Sequence, residues 1–246
     1  MKVDEDALVV ARTFGEKCRS VLGENLVSIV LYGSTVRGNR VRGRSDVNVL
    51  IVLDKSTPEA HRVIAEQLRH TPQISPFVLS RWELPRSCRV FAIKFRSIAR
   101  DYKVLFGDDP LADFAPSQQL LLFLCEQALR NMRLRLKHDY ICNVDKPSRY
   151  GQVLARNTTS LFVTLSEVLR CAGITVPEDF KSRPELIGVT MKVDASVLHD
   201  LLELHSKSVQ KLSAEQAFDL HARLFRLLSA SLDKVREQWP QAIEIQ

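Results

Sequence analysis

Between Leu31 and Asp54 the chain reads LYGSTVRGNRVRGRSDVNVLIVLD. A Gly33–Ser34 pair opens a loop, and Asp46 and Asn48 stand at the head of an apolar run. At Gly33 an anion can approach without a Cβ in the way, and Ser34 adds a hydroxyl donor. Amide N–H groups left over at such a turn, where a helix begins, bind phosphate through their dipoles. Residues i and i+2 of a strand share a face, so Asp46 and Asn48 point the same way. Two carboxylates there would hold Mg²⁺ through oxygen ligands beside the phosphates. Two such ions could clamp an in-line phosphoryl transfer. Asn48 offers an amide oxygen but no charge.

The loop VRGNRVRGRS brings Arg37, Arg40, Arg42 and Arg44 close to the Gly33–Ser34 pair. Arginine binds phosphate in a bidentate, charge-assisted way. The cluster suits a triphosphate or a nucleic-acid backbone, and it equally suits a solvated loop.

The elements that must position these residues follow from apolar spacing. Leu8, Ala11, Phe14, Cys18 and Leu22 recur at helical intervals, which predicts a helix over 4–22. Residues 26–32 are apolar and β-branched and predict a strand. Residues 47–53 are nearly all apolar and predict a strand buried on both faces. Pro58 starts a helix to about residue 69, and ISPFVLS predicts a third strand over 74–80. Ser80 and Glu83 match a capping box for a following helix. Residues 91–104 fit strand or helix. After the turn-prone FGDDPLADFAP the pattern is helical over 117–138, 152–171, 197–212 and 214–238, with no clear strand beyond about 115. The expected architecture is α+β, a mixed sheet with flanking helices over 1–112 and a helical bundle over 113–246.

Charge and composition fit this plan. The net charge is +6 and is uneven, with 18 Lys and Arg against 13 Asp and Glu in residues 1–110. A basic excess attracts polyanions such as nucleotides. The five cysteines are scattered and odd in number, which predicts free thiols in a reducing cytoplasm. No stretch approaches the roughly 20 apolar residues needed to span a bilayer, and the acidic start is unlike a secretory signal. The six histidines show no metal-binding spacing.

The stretch YGSTVRGNRVRGRSDVNVLIVL resembles the signature of the polymerase-β-type nucleotidyltransferase superfamily. That signature is Gly-Ser, a short loop, and Asp-x-Asp/Glu within an apolar strand. The order of elements is similar to that of minimal nucleotidyltransferases and aminoglycoside adenylyltransferases, which also carry a helical C-terminal domain. The resemblance implies that Gly33, Ser34, Arg37 and Arg44 hold nucleotide phosphates. It makes Asp46 the Mg²⁺ ligand and puts Asn48 where the second acid belongs. The implied substrate is an NTP, ATP foremost. The implied reaction moves a nucleoside monophosphate to a hydroxyl on a small molecule, protein or RNA lying between the two domains. A homodimer is compatible with it.

The family's third acid is missing from ISPFVLS. Asp54 shares the parity of Asp46 but lies roughly 26 Å away at about 3.3 Å per residue. Glu83 fits its capping box better, and Glu126 falls inside a helix. Losing a carboxylate beside a divalent ion weakens metal binding by several kcal/mol. The sequence therefore also admits a catalytically impaired nucleotide-binding or regulatory protein of the same fold. Arg133 and His138 are spaced like the catalytic pair of HEPN ribonucleases, which admits an RNase or toxin–antitoxin component as a further alternative.

Overall fold

The computed structural model describes residues 4–37, 46–206 and 211–238. The chain divides into two compact units, Met1–Pro116 and Ser117–Gln246.

In the first unit, helix α1 (Glu5–Leu22) is capped by Asp4, whose carboxylate accepts from the Ala7 N–H at 3.2 Å. Strand β1 (Leu26–Tyr32) leads through the short helix α2 (Ser34–Arg37) to β2 (Val47–Leu53). Helix α3 (Pro58–Leu68), with Thr57 as its cap, crosses over to β3 (Ile74–Ser80). The ambiguous stretch after residue 90 resolves into both alternatives. Helices α4 (Leu84–Val90) and α5 (Ala92–Arg100) precede β4 (Tyr102–Gly107). The sheet order is β3-β2-β1-β4. β1 runs antiparallel to both β2 and β4, and β2 runs parallel to β3.

The alternation of side chains explains the layers. Ile29, Leu31, Val47, Val49, Ile51 and Leu53 face α1 and α3, where Ala11, Phe14, Ala60 and Ile64 close the core. Val30, Leu50 and Val52 face α4 and α5, where they meet Leu84, Phe95 and Ile98. β2 is thus buried on both faces, which is why its sequence is a continuous apolar run rather than an alternating one. The Ser80–Glu83 capping box forms in both directions. Ser80 N–H and Oγ–H donate to the Glu83 carboxylate at 2.8 Å, and Glu83 N–H donates to Ser80 Oγ at 3.2 Å. These bonds hold the Glu83 carboxyl below its ordinary range.

The second unit contains helices α6 (Gln118–Cys142), α7 (Pro147–Cys171), α8 (Pro184–Met191), α9 (Ser196–Ser206) and α10 (Ala214–Gln238). Periodicity predicts that α7 starts at Gln152, whereas the helix begins at Pro147, which needs no N–H partner in a first turn. α8 has no counterpart in the sequence pattern, being short and apolar on most sides. Arg183 fixes its approach. The guanidinium donates to Pro177 O at 2.7 Å, to Glu178 O at 2.6 Å and to Ser166 Oγ at 3.0 Å. No described helix is long and apolar enough to cross a membrane.

Two outcomes follow from this packing. Gly107 has φ 75°, and a Cβ there would lie 1.9 Å from the Val27 carbonyl oxygen. Gly107→Ala is expected to cost at least ~2 kcal/mol in urea denaturation, through backbone strain plus this clash. An unchanged midpoint would contradict the register of β1 and β4. His221 Nδ1 and the hydroxyl of buried Tyr150 share a hydrogen bond at 3.0 Å, and the imidazole stacks on Tyr140 with centroids 4.2 Å apart. Burial lowers its pKa, so the unfolded chain takes up the proton first as pH falls. The stability contributed by neutral His221 is complete above the ordinary histidine value and is lost on acidification below it. Between pH 7.5 and 5 the wild type should lose more stability than His221→Gln, and equal losses would refute the linkage.

Candidate functional site

The polar residues of the Gly-Ser motif gather at one end of the sheet. Tyr32, the last residue of β1, pairs with Asn48 on one side and with Tyr102 on the other. Gly33 follows with φ 83°. Its N–H donates to Asp101 O at 3.0 Å, and its carbonyl accepts from Val36 N at 3.0 Å and Arg37 N at 3.2 Å. These bonds turn the chain out of the sheet and into α2. Asp4 N–H donates to Thr35 O at 3.1 Å, and Val36 is buried in the core beneath. The Thr35 hydroxyl is buried with no hydrogen-bond partner among the described residues.

Gly33 and Asn48 are neighbours. A Cβ on Gly33 would lie 3.5 Å from Asn48 Nδ2. That is ordinary contact distance, so what calls for glycine at position 33 is the positive φ and not crowding by Asn48. Asp46 lies one residue before β2 and is exposed. Val47 N–H donates to Gln73 O at 2.8 Å, which anchors this end of β2 against the chain entering β3.

No acid from β3 joins them, because Asn48 pairs with Ser75 and Val49 with Pro76. Asp54 lies past the opposite end of β2 and bonds Arg81 at 3.1 Å. Glu83 is committed to its capping box. Glu126, in the second unit, holds Arg130 four residues on at 2.5 Å. Among the described residues no group of three or more His, Cys, Asp or Glu could hold a metal ion.

One acidic residue at this end of the sheet has no sequence signature. Asp101 lies one residue before β4, much as Asp46 lies one before β2. Since β2 and β4 both run antiparallel to β1, the two aspartates flank the Gly33 turn. Their backbones stand about 9–10 Å apart, two strand spacings. Asp101 is 8% exposed and accepts from Arg37 Nη1 at 3.0 Å. It could be found in the sequence only by locating the break between α5 and β4, which the mixed pattern of 91–104 conceals. Arg37 is thereby engaged at the base of the turn, with further donors on its guanidinium still available. Arg40, Arg42 and Arg44 lie outside the described residues.

Tyr32 and Tyr102 do not supply a base. Burial raises the Tyr32 phenol. Tyr102 donates to Asp109 at 2.6 Å, and that bond pushes its pKa up to about 12. In the second unit, Arg133 approaches Ser229 Oγ at 3.5 Å and stacks over Phe225, while exposed His138 lies beside Cys142. Five residues apart on one helix, Arg133 and His138 project about 140° from each other.

Comparison with known proteins agrees with this geometry. The profile of the family described as "Nucleotidyltransferase domain" matches residues 13–114, which contain the whole sheet. A Methanocaldococcus jannaschii protein named "Putative protein adenylyltransferase MJ1305" is 30% identical over 106 residues, 39% of this chain and 69% of that protein. The chain belongs to the polymerase-β-type nucleotidyltransferase family. Among solved structures, the spectinomycin adenyltransferase AAD(9) from Enterococcus faecialis, solved with ATP and spectinomycin, superposes with a TM-score of 0.50. The match covers 94% of this chain and 99% of that one at 11% identity, a likeness of fold. A toxin–antitoxin structure with AMP-PNP matches 55% of this chain and 95% of that chain, at 18% identity and a TM-score of 0.29, too low to bear on the fold.

In this member of the family the α2 turn is pinned against the sheet. Asp101 does this twice, through its carbonyl to Gly33 and its carboxylate to Arg37. A double-mutant cycle on Arg37→Ala and Asp101→Ala, read by urea denaturation, should give a coupling of about 1 kcal/mol. Simple additivity would show that the pair does not pin the turn.

Proposed function

We propose that the protein binds a nucleoside triphosphate, ATP foremost, at the Gly33–Ser34 turn beside Asp46. We further propose that its capacity for nucleotidyl transfer is limited by Asn48. The carrying observation is the Asn48 amide packed beside Gly33, in the place where the family sets its second carboxylate. The phosphate moiety would meet the N–H groups of Ser34 and Thr35. As the first two residues of α2 these cannot bond within their own helix, and no other bond to them is formed among the described residues. ATP in the AAD(9) structure and the adenylyltransferase name of the archaeal relative support adenylate as the group transferred.

The donor set fits one magnesium ion. Mg²⁺ keeps several waters and takes one or two protein ligands plus substrate phosphates, which Asp46 and the Asn48 amide oxygen could provide. The set does not fit a two-ion clamp, since Asp46 is the one carboxylate left for a metal here among the described residues, Asp101 being bonded to Arg37. When bound, the ion would offset phosphate charge. In the transfer, the acceptor hydroxyl oxygen bonds to the α-phosphorus, the bond to pyrophosphate breaks, and the proton passes to solvent at exposed Asp46. With no dedicated base placed at the turn among the described residues, the chain contributes mainly by positioning the reactants, on which phosphoryl transfer chiefly relies.

Calorimetry with Mg-ATP tests the binding. Asp46→Ala should weaken it at least tenfold, and EDTA should do the same to the wild type. Unchanged binding in Asp46→Ala would remove the metal role. Transfer of labelled AMP, to protein or to added acceptors, tests the limit. Asn48→Asp should raise the rate at least tenfold, about 1.4 kcal/mol in the barrier. A variant that binds Mg-ATP equally well and transfers no faster would show that charge at position 48 is not what limits the reaction.

A further inference from the structure

The helical unit carries a pocket of its own, lined wholly by its helices. Its volume is about 270 Å³. That is roughly the liquid volume of nine waters at ~30 Å³ each, close to the lower end of small-molecule sites. The wall is apolar, formed by Met132 of α6, Leu154 of α7, Leu201 of α9 and Leu224 and Leu228 of α10. It offers no uncommitted hydroxyl at depth. Thr158, buried in the wall, already donates to Leu154 O at 3.0 Å. A polyhydroxylated ligand would leave its own groups unpaired there.

The rim differs from the wall. α6 presents Asn131, Arg135 and Asp139 to the pocket at intervals of four, one above another on a single stripe. Arg135 and Asp139 form no ion pair with each other, and no hydrogen bond or ion pair reaches either side chain among the described residues, although the Asp139 charge lies near enough to the Tyr150 phenol to help raise its pKa. The same helix does support such pairing, since Glu126 and Arg130 are locked together. In that pair the acid precedes the base, the favourable order, whereas Arg135 precedes Asp139. Two opposite charges are thus held over an apolar floor with Cβ atoms about 6 Å apart, not engaged with each other. That arrangement complements a molecule bearing adjacent ammonium and carboxylate groups on a short apolar chain.

We propose that this pocket binds a free α-amino acid with an aliphatic side chain of about leucine's size. Arg135 takes the carboxylate, Asp139 the ammonium, and Met132, Leu201, Leu224 and Leu228 the side chain. Asn131 supplies an additional amide at the carboxylate end. The site does not depend on the nucleotide reading, and it holds whether or not the sheet end turns over ATP.

Calorimetry on the full chain tests it with L-leucine, glycine, 4-methylpentanoate and isopentylamine. L-Leucine should bind with a Kd near or below about 1 mM. Glycine, which lacks the apolar chain, and the two analogues, each lacking one charge, should bind at least tenfold more weakly. Arg135→Gln and Asp139→Asn should each weaken leucine at least tenfold with a nearly unchanged urea midpoint, since no hydrogen bond or ion pair to either side chain is formed among the described residues. Ala128→Leu, which fills the pocket from α6, should abolish binding. The proposal is overturned if leucine shows no heat up to about 10 mM, or if glycine binds equally well. It is also overturned if both single-charge analogues match leucine, which would mark an unspecific apolar cavity. Retention of full affinity in both charge variants would overturn it as well.

Discussion

β1 hydrogen-bonds antiparallel neighbours along both of its edges, so its last residue can leave the sheet only by turning out of its plane. Gly33 makes that turn with a positive φ, and the rest of the sheet end is arranged around it. Because β2 and β4 run the same way past β1, each delivers one aspartate to the same end, Asp46 on one side and Asp101 on the other. Asp101 faces inward and steadies the turn, while Asp46 faces water. One topological fact thus assigns a structural and a solvent-facing role to two residues of the same type.

Local features of the sequence carried over well. The unbroken apolar run of β2 identifies a strand with helices on both faces, and that is its environment. The Ser80–Glu83 pair is legible because a capping box is complete within four residues. The alternation of strands and helices in the first half and the helical C-terminal half follow from periodicity in the same way, while the mixed sheet is what the family resemblance implies. What stayed hidden depends on distance along the chain. Arg37 and Asp101 are 64 residues apart, and nothing near either one announces the other. The helix–strand break at Asp101 is masked because α5 and β4 both draw on apolar residues, so neither period dominates. α8 is too short and too uniformly apolar to show a stripe. The gap on β3 is legible by letter alone, and the register adds that Ser75 is the residue standing beside Asn48.

The helical unit is held together differently. Its long helices pack through continuous leucine-rich stripes, with Leu121, Phe162, Leu165 and Leu227 fully or almost fully buried. Several polar groups inside it are satisfied locally. Thr158, Thr164, Ser166 and Ser231 each donate back to a carbonyl four residues earlier. Arg183, just before α8, reaches further, back to α7, and fastens the irregular segment between them. A charged side chain buried with three acceptors and a ring beneath it is held in place rather than tolerated.

Asn48 has a consequence for the protein before any ligand arrives. A carboxylate in its place would sit half-buried on the same face as Asp46, about 6.6 Å along the strand. Two like charges there would repel, and each would resist ionising. A sheet edge built that way is under tension until a cation relieves it, and its folding becomes tied to the supply of divalent ions. With a neutral amide at this position the tension is absent. This end of the sheet therefore carries, at positions 46 and 48, one negative charge rather than a like-charge pair that a cation would have to offset.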